Sequence, residues 1–184
     1  GNNNGGSDDG WGPDIATFAT TIVAAQDCAG GDCSEQSGIK FNSAVSVEAF
    51  DLYDQRTSLD ATVTIDCVDD EYCAMPCVDC PGGCPASGVC ATRASGFGDL
   101  SEDMVDGFVE LKDFGYSLKP SVTLRLTATL QTDATPEGSS LSLKDDFDVL
   151  LGECTLGQET VTDDSGRSLC NDCDNDGLFY SQDP

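Results

Sequence analysis

"SVTLRLTATLQT", residues 121–132, is the stretch on which the fold turns. Val122, Leu124, Leu126, Ala128 and Leu130 alternate with Thr123, Arg125, Thr127, Thr129 and Gln131. Successive side chains of a strand point to opposite faces, so this run lays one apolar face on a core and turns a polar face to water. The same period recurs in "DATVTIDC", residues 60–67, with Ala61, Val63, Ile65 and Cys67 inward. It recurs in "SAVSVEAF", residues 43–50, through Val45, Val47 and Ala49. "SSLSLKDDFDVLL", residues 139–151, predicts two shorter strands around Lys144 and Asp145, and "QETVT", residues 158–162, a last strand.

Less regular stretches lie between these. "DLSEDMVDGFVELKDFG", residues 99–115, reads as a short helix capped by Ser101 that breaks near Gly107, followed by a strand over "FVELKDF". "IATFATTIVAAQ", residues 15–26, fits two templates. Ile15, Phe18, Ala19, Ile22 and Val23 fall on one helical face behind Asp14 as N-cap. The β-branched run Thr20, Thr21, Ile22 and Val23 favours a strand instead, and composition tips the reading that way. Six to eight short strands with turn-rich spacers predict an all-β, antiparallel, immunoglobulin-like β-sandwich.

Eleven cysteines and no histidine constrain the chemistry. They are Cys28, Cys33, Cys67, Cys73, Cys77, Cys80, Cys84, Cys90, Cys154, Cys170 and Cys173. Two C-x-x-C pairs, Cys77/Cys80 and Cys170/Cys173, supply the four soft ligands of a zinc site, or a redox pair. Zinc would leave seven cysteines unexplained, whereas exported domains use cysteine at this density as disulfides. Cys67 and the five cysteines of "EYCAMPCVDCPGGCPASGVC", residues 71–90, suffice for three local bridges. Cys28 and Cys33 suit a small loop, and one of Cys154, Cys170 and Cys173 is left over; spacing alone does not fix the pairing. Pro76, Pro81, Gly82, Gly83 and Pro85 mark residues 67–90 as an irregular insertion that disulfides hold together.

The charge narrows the partners. Thirty-four acidic residues against 8 basic ones give a net charge of −26, which repels nucleic acid and anionic lipid. No apolar run is long enough to enter a membrane. The first residue is Gly1 rather than Met, and the chain is read as a mature product, extracellular or at the cell surface, whose export signal has been removed. Without histidine the common base-assisted nucleophilic routes are missing, and no carboxylate pair stands out among so many, so no catalytic residue is assigned and the chain is not expected to be an enzyme. No organic cofactor is expected.

The C-terminus, "CNDCDNDGLFYSQDP", alternates Asp172, Asp174 and Asp176 before Gly177. Three carboxylates, the Leu178 carbonyl and Asp183 at the twelfth loop position are hard oxygen ligands suited to calcium. The stretch resembles the aspartate-rich loops of thrombospondin type 3 repeats, with Tyr180 in place of one aspartate; the resemblance implies bound calcium. Three segments follow: an N-terminal arm and candidate donor strand at 1–26, a β-sandwich with its cysteine-rich insertion at 27–165, and an acidic Cys/Asp-rich tail at 166–184.

An apolar β segment behind a Gly/Asn-rich leader, attached to a sandwich with open edges, resembles the arrangement of donor-strand pilus subunits. That resemblance implies a structural subunit of an extracellular filament, assembled from copies of itself by N-terminal strand exchange. Trp11, Ile15, Phe18, Ile22 and Val23 are the anchors it implies. The alternative is a calcium-dependent extracellular adhesion or carbohydrate-binding module, with a cell-surface protein or glycan as partner.

Overall fold

The computed structural model describes residues 18–28, 33–132 and 140–172. In chain order the strands are β1 (Thr21–Asp27), β2 (Ser34–Gln36), β3 (Ala44–Phe50), β4 (Ala61–Asp66), β5 (Ser95–Gly98) and β6 (Ser101–Met104). They continue as β7 (Phe108–Leu111), β8 (Phe114–Ser117), β9 (Val122–Thr132), β10 (Leu141–Gly152), β11 (Gln158–Thr162) and β12 (Ser168–Asp172). A one-turn helix, α1 (Asp70–Cys73), and a 3-10 turn at Cys77–Asp79 interrupt them. The fold is all-β. Among the described residues no helix is long and apolar enough to cross a membrane.

A five-stranded sheet runs β2-β10-β9-β4-β6 and a three-stranded sheet runs β1-β3-β7. Two ribbons, β5-β8 and β11-β12, complete the described structure. Every pairing is antiparallel except β2 with β10, which is parallel. The sheets are curled into a half-barrel.

The core lies where the alternating runs place it. Val45, Val47 and Ala49 of β3 and Val63 and Ile65 of β4 are buried, with Leu124, Leu126, Ala128 and Leu130 of β9. Phe41 meets Phe114 edge to face at 5.2 Å between ring centroids, a favourable arrangement of ring quadrupoles. Burial of Leu- or Val-sized side chains contributes about 1.5–3 kcal/mol each.

Three expectations are corrected. Residues 139–151 do not make two strands: β10 is one strand paired with β9 from Leu141↔Thr132 to Leu151↔Val122. The pairing runs unbroken because Lys144, Asp146 and Asp148 all project outward, where charge costs little. No helix follows Ser101. β6 and β7 flank the turn residues Asp106 and Gly107, with Val105 bridged to Phe108. Both have positive φ, 51° and 73°, as a tight hairpin turn requires. A Cβ at Gly107 would lie 1.9 Å from the Thr57 carbonyl, so only glycine fits.

The cysteine-rich insertion is also not wholly irregular. The Asp69 carboxylate accepts a hydrogen bond from the Glu71 amide and caps α1. The strand reading of residues 15–26 holds where the chain is described, at Thr21–Asp27.

Candidate functional site at the N-terminal edge strand

Thr21, Ile22 and Val23 open β1 with three β-branched side chains, which pack well on a pleated surface. The strand pairs antiparallel with β3 over its whole length, from Thr21↔Phe50 to Asp27↔Ala44. Its alternation places Ile22 inward at 4% exposure, with Ala19 buried just before the strand and Ala24 and Gln26 half-buried. Phe18 and Val23 lie on the outside, each 50% exposed. Of the expected anchors, Ile22 alone is buried among those described; Trp11 and Ile15 lie outside the described residues. Grouping Phe18, Ile22 and Val23 on one face assumed a helical period, and the strand period separates Val23 from Ile22.

The outer side of β1 faces β10 without a backbone ladder. The Asp145 carboxylate receives the Ala24 amide at 2.8 Å. This bond satisfies an edge amide that would otherwise lack a partner.

Glu35 of β2 organises the far end of the strand. Its side chain is 2% exposed. The carboxylate accepts the Asn42 amide at 2.8 Å, the Ser43 amide at 3.0 Å and the Gln26 side-chain amide at 3.2 Å. The Ser43 hydroxyl donates to it as well, and Gln26 Nε2 also donates to Ser43 Oγ at 2.6 Å. A buried carboxylate is tolerated when donors surround it. Sequence reading missed Glu35, Gln26 and Asp145. One glutamate among 34 acidic residues has no local mark, and its partners come from two separate segments.

Just beyond Asp27, Cys28 is bridged to Cys33, with 5.1 Å between the Cα atoms. The other bridges are Cys67–Cys73, Cys77–Cys84, Cys80–Cys90 and Cys154–Cys170. The insertion therefore holds the three local bridges expected of it. Cys173 lies outside the described residues.

The insertion is fastened to the sheet as well as to itself. Arg125 of β9 sits 4.1 Å from the Tyr72 ring centroid and pairs with both oxygens of Asp148, at 2.8 and 3.2 Å. The Arg125 hydrogen bond holds the Asp148 carboxyl below the usual carboxylate range. Lys119 pairs with Asp79 at 2.7 Å, and the Thr92 hydroxyl donates to the Ser165 carbonyl at 3.0 Å. The β11-β12 ribbon and the insertion thus abut. Val78 projects from the insertion almost fully exposed.

Of the expected calcium ligands, Asp172 closes β12, and Asp174, Asp176, Leu178 and Asp183 lie outside the described residues. Among the described residues no three carboxylates or thiolates gather as a metal site.

No family model, curated protein or solved structure matches the chain.

Proposed function

We propose that the chain is a structural subunit of an extracellular filament in which β1 passes from one copy to the next. The observation that carries this reading is the attachment of β1. It is a seven-residue edge strand at the start of the described chain, joined to the body through a loop that Cys28–Cys33 closes to 5.1 Å. A short hinge invites exchange, and an identical strand from a neighbour restores every contact at little cost. The body keeps its five-stranded sheet when β1 leaves.

Five bridges among the described residues support an oxidising, extracellular setting. The strand order supports an immunoglobulin-like sandwich. Its first strand sits in one sheet, while the next short strand crosses to run parallel to the last strand of the other. The partners are copies of the chain; the net charge of −26 disfavours nucleic acid.

Deleting residues 1–26 tests the reading. The shortened chain is expected to stay as soluble subunits, and normal fibres from it in electron micrographs would defeat strand exchange.

A second reading has its own support. β1 completes the sheet of its own chain, and β12 delivers Asp172 to the aspartate-rich stretch just behind the Cys154–Cys170 bridge. Both suit a monomeric, calcium-dependent adhesion or carbohydrate-binding module. Mass photometry separates the two: a stable monomer whose melting temperature rises with calcium favours the module.

A further inference from the structure

We infer that the β1 groove is a register-reading peptide site, and that the buried Glu35 carboxylate reads the side-chain amide of Gln26. This rests on the strand-exchange reading, since it says which segment the groove accepts from a neighbouring copy.

Three features of the groove are already described. β3 offers a backbone ladder, which binds any extended segment. The Asp145 carboxylate takes one amide from the outer edge, at Ala24. Neither feature distinguishes one register from another, because every residue but proline carries an amide. Glu35 does distinguish them. It belongs to β2, so it stays with the body when β1 leaves. Among the described residues its partners are neutral donors, and the donor from β1 is Gln26 Nε2.

Slipping the strand alters this contact sharply. A one-residue slip turns Thr21, Val23 and Ala25 inward and Ile22 outward. A two-residue slip keeps the faces but sets Ala24 or Cys28 against Glu35, and the buried carboxylate loses a donor. That loss is costly where water cannot replace the donor. The accepted ligand is therefore an extended peptide with a large apolar residue, a small residue and a side-chain amide at alternate positions. Ile22, Ala24 and Gln26 supply them here.

Amide hydrogen exchange on the full-length chain tests this. Segment 18–27 reports the opening of β1, and segment 124–130 of β9 is the internal reference. Gln26→Leu is expected to speed exchange of 18–27 about tenfold with β9 unchanged. Gln26→Glu sets two carboxylates face to face and is expected to speed it about a hundredfold. Gln26→Met keeps the length and bulk of the side chain without its amide, and is expected to speed exchange of 18–27 as Gln26→Leu does. A purely packing role for Gln26 would leave Gln26→Met near the native rate. The inference is overturned if Gln26→Leu and Gln26→Glu leave segment 18–27 unchanged, or if Gln26→Met exchanges like the native chain.

Mixing two differently labelled native samples reports separately on exchange between copies. If labels never mix while the variants behave as stated, strand exchange falls and the reading of Gln26 by Glu35 stands as a cis contact. If labels mix while the variants exchange like the native chain, the register inference falls.

Discussion

Tyr116 shows how a single side chain couples the sheets to pH. Its ring is buried, and its hydroxyl donates to the Ile65 carbonyl at 2.9 Å. Burial, and then the nearby Asp66 carboxylate, push its ionisation well above the ordinary tyrosine range. In the unfolded chain it ionises near pH ~10. The folded state therefore holds its proton where the unfolded state releases it. Its contribution is present in full below about pH 10 and is lost progressively as pH rises above that. Tyr116→Phe is expected to cost about 1 kcal/mol at neutral pH, from the lost hydrogen bond. It should also make the alkaline fall in stability shallower. Urea melts of both proteins from pH 7 to 12 check both. Asp148 works in the opposite sense: held low by Arg125, it supports the fold above the ordinary carboxylate range and stops doing so as acid protonates it.

The elements differ in what holds them. β11 and β12 form a two-stranded ribbon in which Cys170, bridged to Cys154 across 16 positions, is buried. An isolated ribbon of this kind is marginal in water. A bridge closing a loop of this length stabilises by about 3 kcal/mol in the chain-entropy model. Replacing both cysteines by serine should free the amides of Gln158–Thr162 to exchange while those of β9 stay protected, and hydrogen-exchange mass spectrometry would register the contrast.

Legibility divides along the same lines. β3, β4 and β9 were readable because a half-buried strand must alternate, and Thr123 to Gln131 alternate without a break. β10 was misread because Lys144-Asp145-Asp146 looks like an interruption, when only its pairing with β9 reveals an exposed face. The Asp106-Gly107 turn carried a hairpin signal, but the acidic run after Ser101 imitated a helix start. β2 and β5 are three and four residues long, too short for any period to register. Glu35 was invisible for another reason. Its role depends on Gln26, Asn42 and Ser43 meeting in space, and no pattern along the chain records that.

At the scale of the whole molecule, charge dominates. Lys40, Arg56, Arg93, Lys112, Lys119, Arg125 and Arg167 all stand in ion pairs, so seven of the 8 basic residues are engaged. The surplus of 26 negative charges has no such outlet. Most of these pairs are well exposed and stabilise little. The mutual repulsion is long-ranged and is screened by salt. Raising sodium chloride from 10 to 500 mM should therefore stabilise the fold by about 1 kcal/mol, or roughly 2–4 °C in melting temperature. Calcium and magnesium at equal ionic strength should act alike if screening is their whole effect. A larger shift with calcium in calorimetry that Asp174→Asn and Asp176→Asn abolish would support a specific site in the aspartate-rich stretch after Asp172.

The covalently closed turn after β1 has a mechanical consequence. A pull on residue 18 directed along the strand loads the β1–β3 ladder in shear, so its rungs share the force as in a lap joint and do not peel one by one. Past Asp27 the pull reaches the Cys28–Cys33 bond, which denies the chain the slack of the residues between. Tension would pass from the strand into the body with almost no give, as in an inextensible cord.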